Sequence, residues 1–216
     1  YLALFYEKGR GFQKDIDEAI KWYGKAEEQG NADAQYRLAE FYADGEAGEK
    51  DMTEALKLCR KAAAQGHDGA QLKLARCYQS GSGVPKNVSE AYVWMSLSAE
   101  NGSATNGRGL AGVLLDDLSK GLTPAELTEA KAEARKRQQE VSKQVNANNQ
   151  KIINELNRAG YDVTITKDED VEGQYFASAK KPNHCTYSSN SPNLGDAVKV
   201  MLAGYRNYMP FPPKSE

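Results

Sequence analysis

An internal repeat of 36 residues constrains this chain more than any other feature. Gly30, Gly66 and Gly102 are spaced 36 residues apart. The same ungapped spacing relates further positions in three or four copies, which are Leu2, Leu38, Leu74 and Leu110; Ala3, Ala39, Ala75 and Ala111; Ala19, Ala55 and Ala91; and Trp22, Leu58 and Trp94. A period of this length is typical of proteins that stack one supersecondary unit several times.

Each copy of the repeat predicts two helices joined by a glycine-containing loop. In the second copy, Ala34, Leu38, Ala39 and Tyr42 form an i, i+4, i+5, i+8 stripe, which indicates a half-buried helix. A second helix is then predicted to begin at a recurring capping pair, found at Asp15/Glu18, Asp51/Glu54, Asn87/Glu90 and Thr123/Glu126. The first member accepts hydrogen bonds from first-turn N–H groups, and the glutamate is expected to bond back to the N–H of the cap.

Two stretches carry a family resemblance. The sequence AIKWYGKAEEQG at residues 19–30 and the sequence GSGVPKNVSEAYVW at residues 81–94 resemble the Sel-one-like repeat family, which is related to the tetratricopeptide repeats. The resemblance covers about residues 1–140. It implies an α-solenoid whose first helices line the concave side. It also implies a role in protein binding or scaffolding, with no catalytic site shared by the family.

The fourth copy departs from the pattern, because Gln138 stands where a helix-ending glycine is expected. The helix that begins at Pro124 should therefore continue to about residue 145 as a charged capping helix. We predict a mostly α protein with two domains: the solenoid with its capping helix at residues 1–145, and a small α+β domain at residues 146–216. In the first domain, the shared register predicts that Trp22 and Trp94 are buried between helices.

The pattern of the second domain predicts a helix, two or three strands and a helix. Residues 151–160 predict a short helix after an Asn-rich stretch that is either a break or a polar face. Alternation at 161–166 predicts a strand, 174–180 predicts a second and 184–189 a short third. An apolar stripe from Leu194 to Tyr205 predicts the last helix.

The candidate binding site is the predicted concave surface. By register, the first helices direct their side chains outside the core stripe toward it; these are Leu4, Glu7, Tyr36, Glu40, Ala43, Leu72, Arg76, Gln79 and Asn106. Their mixture of aromatic, aliphatic and charged groups suits a protein or peptide partner, and the alternative is an unoccupied polar surface. Glu40 and Arg76 lie on adjacent predicted helices and are expected to pair in the absence of a partner.

The sequence predicts neither catalysis nor a cofactor. Cys59 and Cys77 occupy apolar repeat positions and are expected to be buried thiols, although their neighbouring helices leave a disulfide conceivable. His184 and Cys185 are adjacent on a predicted strand and point to opposite faces, which disfavours a nucleophilic dyad. With two histidines and no CxxC spacing, a metal site lacks ligands. We therefore expect a protein that is not an enzyme.

Charge and hydropathy narrow the classes of partner. The chain has 28 basic and 30 acidic residues and a net charge of −2, which argues against nucleic-acid binding. No run of 18 apolar residues exists, so no membrane span is expected. The cytoplasm is favoured, but the chain does not begin with Met, so a removed leader and a periplasmic location stay open. Partner identity and oligomeric state also stay open.

The predicted function is that of a bacterial adaptor or scaffold that binds a protein or peptide through the concave surface. The alternative is an inhibitory binder, such as an immunity protein or a phage-derived anti-defence protein, that acts partly through its C-terminal module.

Overall fold

The computed structural model describes residues 2–9, 11, 13–101, 108–158, 160–167, 175–180 and 187–191. In these residues the chain forms eight helices: α1 Leu2–Lys8, α2 Ile16–Glu28, α3 Ala32–Asp44, α4 Met52–Ala64, α5 Asp68–Ser80, α6 Val88–Asn101, α7 Arg108–Lys120 and α8 Pro124–Arg158. Three strands follow: β1 Asp162–Lys167, β2 Tyr175–Lys180 and β3 Tyr187–Ser191. By its internal contacts the chain divides into two units, Tyr1–Ser142 and Lys143–Glu216.

The second helices begin at the four predicted caps. Asp15, Asp51 and Asn87 each accept a hydrogen bond from the backbone N–H three residues later, at 3.0 Å. Gly30 and Gly66 follow the second helices of their repeats with φ of 77° and 83°, a left-handed conformation that glycine adopts at little cost. Gly102 lies outside the described residues. The sequence therefore located the starts of these helices and the ends of α2 and α4 correctly.

The expected reciprocal bond of the capping pair is made only at Thr123 among the four described caps. Its backbone N–H donates to Glu126 Oε2 at 2.8 Å. In the three earlier repeats the cap N–H donates instead to a tyrosine carbonyl nine residues before it, at distances of 3.0, 2.9 and 2.9 Å for Tyr6, Tyr42 and Tyr78. The capping glutamate of those repeats is consequently left for other partners, whereas the fourth repeat has Leu114 at the tyrosine position and uses Glu126.

Small residues at the repeat positions bring the helices of the first unit close together. Ala19, Ala55 and Ala91 are 0%, 2% and 0% exposed, and Leu74 is fully buried. A buried amide holds α4 from each side: Gln65 Nε2 donates to Gln35 Oε1 of α3 at 2.8 Å, and Gln71 Nε2 of α5 donates to the Ala63 carbonyl at 3.0 Å. Polar bonds thus join the two helices of the second repeat to each other and the second repeat to the third.

Trp22 and Trp94 are only partly buried, so the prediction that both are buried between helices holds only in part. Both rings pack against the core, but each has one face covered by a cationic side chain, which comes from α2 itself for Trp22 and from α8 for Trp94. Lys25 Nζ lies 4.2 Å from the centroid of Trp22, and the Arg137 guanidinium carbon lies 5.2 Å from that of Trp94. Long cationic side chains can cover an indole face while their charged ends stay near water.

Helix α8 continues through the Asn-rich stretch without a break. It has 35 residues, and the short helix predicted at residues 151–160 is its final part. The Asn-rich stretch is therefore helical, and Asn149 is a buried polar residue on it. The division between the two contact units at residues 142 and 143 also falls inside this helix.

The strands form an antiparallel sheet in the order β1-β2-β3. Asp162 pairs with Lys180 and Lys167 with Tyr175, and Tyr175 in turn pairs with Ser191. The first two strands lie where the alternation placed them, and the third lies two to three residues later than predicted. The helix predicted by the apolar stripe from Leu194 to Tyr205 lies outside the described residues.

Candidate protein-binding surface

We use the term first-helix face for the surface that the sequence assigned to α1, α3 and α5. Arg76 is exposed on it, and six more of the predicted residues are partly exposed: Leu4, Glu7, Tyr36, Glu40, Leu72 and Gln79. Ala43 was predicted wrongly, because it is only 4% exposed. Its methyl group is too short to extend beyond the packed helices, whereas Glu7 and Gln79 at the same register position are long enough. Asn106 lies outside the described residues.

The carboxylate of Glu40 is held by its own helix. Tyr36 Oη donates to Glu40 Oε1 at 2.9 Å, and Arg37 Nη1 donates to Glu40 Oε2 at 3.0 Å. The predicted pairing of Glu40 with Arg76 is therefore wrong, because partners three and four residues away on one helix are nearer than a side chain on the next. Burial, followed by the bond to Glu40, raises the pKa of Tyr36.

Tyr36 also stacks on His67, which caps α5. The two ring centroids are 4.6 Å apart with an interplanar angle of 30°. His67 Nδ1 accepts from the Ala70 N–H at 3.1 Å, so this histidine takes the capping role that Asn31 has one repeat earlier. A methyl group on Gly69 would lie 3.1 Å from His67 and 3.3 Å from Tyr36. The glycine thus makes room for the stack, and Tyr36 is part of the junction between repeats.

Glu7 is fixed in a similar way at the first repeat. Tyr23 Oη donates to Glu7 Oε2 at 2.6 Å, and Lys8 Nζ lies 2.7 Å from Glu7 Oε1. Burial alone would raise the pKa of this carboxyl, but the bonds from Lys8 and Tyr23 outweigh it, and the pKa is lowered. In the first two repeats the acidic groups of the first-helix face are therefore already satisfied.

The third repeat differs, because two cations of α5 have no acidic partner among the described residues. Lys73 and Arg76 lie three residues apart on α5, and neither forms an ion pair with any residue that the structure describes. Leu72 is partly exposed beside them. This part of the first-helix face combines an available guanidinium with apolar surface, and that combination is frequent in protein interfaces.

Neither thiol chemistry nor a metal centre is indicated in the described part of the chain. Cys59 and Cys77 are free and buried, as predicted, and they form no disulfide. Burial raises the pKa of the Cys59 thiol to about 11, so it carries no thiolate at neutral pH. The described residues contain no group of three or more potential metal ligands and no helix long and apolar enough to cross a membrane. His184 and Cys185 lie outside these residues.

A second feature of the surface was missed by the sequence analysis. A cleft of about 550 Å³, here called the Trp94 cleft, lies within the first unit and is lined by Tyr78, Pro85, Lys86, Asn87, Glu90, Trp94 and Arg137. Arg137 spans it with a bidentate bond to Glu90 at 2.8 and 2.9 Å and a 2.7 Å bond to Glu133. The bonds to Glu90 and Glu133 raise the pKa of Arg137.

The repeat register does not predict this cleft, because Arg137 lies 47 residues from Glu90 and outside the three regular repeats. The one available hint was Glu90, since a capping glutamate that does not bond its own cap needs another partner.

The helical hairpins and their common register define the class of the first unit, a stack of helix-turn-helix repeats. Residues 1–31, 32–67 and 69–103 match the Sel1 repeat. Residues 1–103 therefore carry three Sel1 repeats, which confirms the resemblance. Sel1 repeats generally mediate protein–protein interaction, and theirs is a non-catalytic fold.

Two solved structures are similar to the chain. A Sel1 repeat protein from Oxalobacter formigenes is 41% identical, with coverage of 47% of this chain and 42% of that chain and a TM-score of 0.46. The protein c5321, a protective antigen present in uropathogenic Escherichia coli strains that displays an SLR fold, is 26% identical, with coverage of 70% and 39% and a TM-score of 0.47. The chain thus spans less than half of either protein. No curated protein matches it.

Proposed function

We propose that this chain is an adaptor or scaffold that binds a protein partner on the concave side of the repeats, through the first-helix face. The observation that carries the proposal is Arg76, an exposed guanidinium beside Leu72 that has no ion-pair partner in the described part of the chain. The family supports the general role, since Sel1 repeats mediate protein–protein interaction.

The two neighbouring repeats contribute differently to such a site. In the second repeat, Tyr36 and Glu40 are bonded to each other, and Tyr36 is stacked on His67. The side chains of this repeat are therefore already held in place, and they lose little conformational entropy when a partner binds. In the third repeat, Lys73 and Arg76 supply positive charge and Leu72 supplies apolar contact. The partner we propose therefore presents a carboxylate to Arg76 and an apolar side chain to Leu72.

The test is affinity capture with the intact chain followed by mass spectrometry, and then titration of the captured partner. Arg76→Glu should raise the dissociation constant at least tenfold, which corresponds to about 1.4 kcal/mol. Lys131→Glu on α8 is the matched control, because it makes the same charge change at an exposed residue off this face and should leave the affinity unchanged. Tyr36→Ala is unsuitable as the sole test because it would also remove the stack on His67.

Equal affinity of the wild-type chain and Arg76→Glu for the captured partner would show that the interface is not on the first-helix face.

The inhibitory alternative stays a prediction, and recovery of a toxin or a nuclease as the captured partner would favour it. The α+β character of residues 146–216 is likewise part of the proposal, and the antiparallel sheet β1-β2-β3 supports it.

A further inference from the structure

The Trp94 cleft lies off the first-helix face and has a composition suited to a ligand. Its walls carry two aromatic side chains, Tyr78 and Trp94, and the ring of Pro85. Its volume of about 550 Å³ is within the usual range of ligand sites, roughly 300–1,000 Å³. We propose that this cleft is a second binding site, which takes an extended acidic peptide segment of a partner protein.

The charges around the cleft favour an acidic ligand. Glu90 is neutralised by Arg137, so it does not repel an anion strongly. Lys86 is exposed and forms no ion pair with any described residue. Arg60 stands next to the lining residue Tyr78, and its one described side-chain contact is a long 3.5 Å bond to the Tyr78 hydroxyl. Two cations at the cleft are thus available to carboxylates.

The hydrogen-bonding groups favour a peptide backbone as the body of that ligand. Asn87 Oδ1 is occupied by the Glu90 N–H, which leaves the side-chain amide of Asn87 as a donor. Asn87 is exposed and lines the cleft, so this donor is open to an acceptor, and an extended peptide presents a carbonyl at every residue. Apolar or proline side chains of the same peptide fit between flat rings.

Arg137 holds the cleft in shape before any ligand arrives. Its guanidinium bonds Glu90 with two nitrogens and Glu133 with the third, and it lies over the Trp94 ring. A side chain with this many bonds has little freedom, so the position of the indole is set in advance. The net charge of −2 of the chain disfavours a polyphosphate ligand, which makes a protein segment a better occupant than single-stranded nucleic acid.

The experiment uses the full chain carrying Trp22→Phe, which leaves Trp94 as the sole tryptophan, since the chain has two. A random library of phage-displayed heptapeptides is selected on this protein, and the enriched peptides are titrated while Trp94 emission is followed. We expect enrichment of sequences with at least two acidic residues next to proline or an aromatic residue. Each should change Trp94 emission saturably, and its charge-reversed version should bind at least tenfold more weakly.

Matched variants assign the binding to the cleft. Lys86→Glu should raise the dissociation constant at least tenfold, whereas Lys131→Glu and Arg76→Glu should leave it unchanged. Circular dichroism of Lys86→Glu should match the parent, since Lys86 is exposed. The proposal is overturned by a lack of enrichment, by enriched peptides without acidic residues, or by dependence on Arg76 in place of Lys86. It is also overturned if a ten-nucleotide oligothymidine binds more tightly than the selected peptides.

Discussion

At the scale of single residues, one register position can meet different surroundings in successive repeats. Phe5, Phe41, Cys77 and Val113 share a position, yet they are 43%, 7%, 5% and 69% exposed. Phe41 is buried where its ring meets Tyr23, at a centroid distance of 6.0 Å. The register therefore determines where a side chain lies on its own helix, whereas the packing of the neighbouring helix determines whether that side chain is buried.

The thiols of Cys59 and Cys77 give a residue-scale prediction. Burial raises both pKa values from 9.0, that of Cys59 to about 11. In a Cys185→Ser chain, native protein at pH 8 should react with a thiol-specific disulfide reagent at least a hundredfold more slowly than protein unfolded in urea. The reason is that the native thiols are covered and protonated. Absorbance of the released thiolate measures both rates.

The sign of the pH effect follows from the raised pKa. Between about pH 9 and pH 11 the thiol of Cys59 ionises in the unfolded chain and stays protonated in the native one. Its contribution to the free energy of unfolding is therefore intact below pH 9 and declines above it. The labelling prediction would be contradicted by fast reaction of the native thiols at pH 8. That result would show that α4 and α5 separate without global unfolding.

At the scale of elements, each second helix is fixed at its start by whichever group reaches the cap N–H. A tyrosine carbonyl does so in three repeats, and Glu126 does so for α8. The bonds from the Thr123 N–H and hydroxyl lower the pKa of Glu126. Its stabilising effect on α8 is therefore present above its ordinary value near 4.5 and is lost as the pH falls below it.

Glu126→Ala tests this cap. At pH 7 we expect a lower melting temperature than that of the parent, and the difference should shrink as the pH falls below 4.5 and the carboxyl takes up its proton. Glu54→Ala is the matched control, because Glu54 bonds Lys57 and the N–H of its cap is taken by Tyr42. Thermal denaturation followed by circular dichroism measures both. A pH-independent difference for Glu126→Ala would mean that the carboxylate does not cap the helix.

At the scale of the whole molecule, the sequence determined the repeat but not every contact between its parts. The period located the caps and the glycines, because those depend on residues within one repeat. It did not locate the Trp94 cleft, since Arg137 belongs to the irregular fourth copy. It also failed for Glu40, whose partners Tyr36 and Arg37 were nearer than the Arg76 expected from the register.

The sequence also contains no decisive signal that α8 is continuous through its Asn-rich stretch. Asparagine is a moderate helix former, so a run of asparagines neither ends a helix nor supports one, and neighbouring contacts decide. The burial of Asn149 shows that such contacts exist along this stretch. Local sequence signals thus predicted where the second helices begin, but they did not predict that α8 continues through this stretch.

Shortened chains test how the first unit is held together. A chain that ends at Ser142 retains Arg137 and its bonds to Glu90, and it follows the division between the contact units. We expect it to unfold cooperatively, as seen by circular dichroism. A chain that ends at residue 122 lacks α8 and uncovers Trp94, so its melting temperature should be several degrees lower and its tryptophan emission shifted to the red. Identical melting of the two would show that α8 does not stabilise the repeats.

The bond from each cap N–H to a tyrosine carbonyl also bears on how such a chain changes in length. The tyrosine and its cap lie nine residues apart in the same repeat, as Tyr42 and Asp51 do. Duplicating or deleting a whole block of 36 residues therefore carries donor and acceptor together, and every remaining cap keeps its partner. A length change between the tyrosine and its cap separates the two. Copy number can consequently vary at little cost in stability, while changes to the loop inside a repeat are penalised.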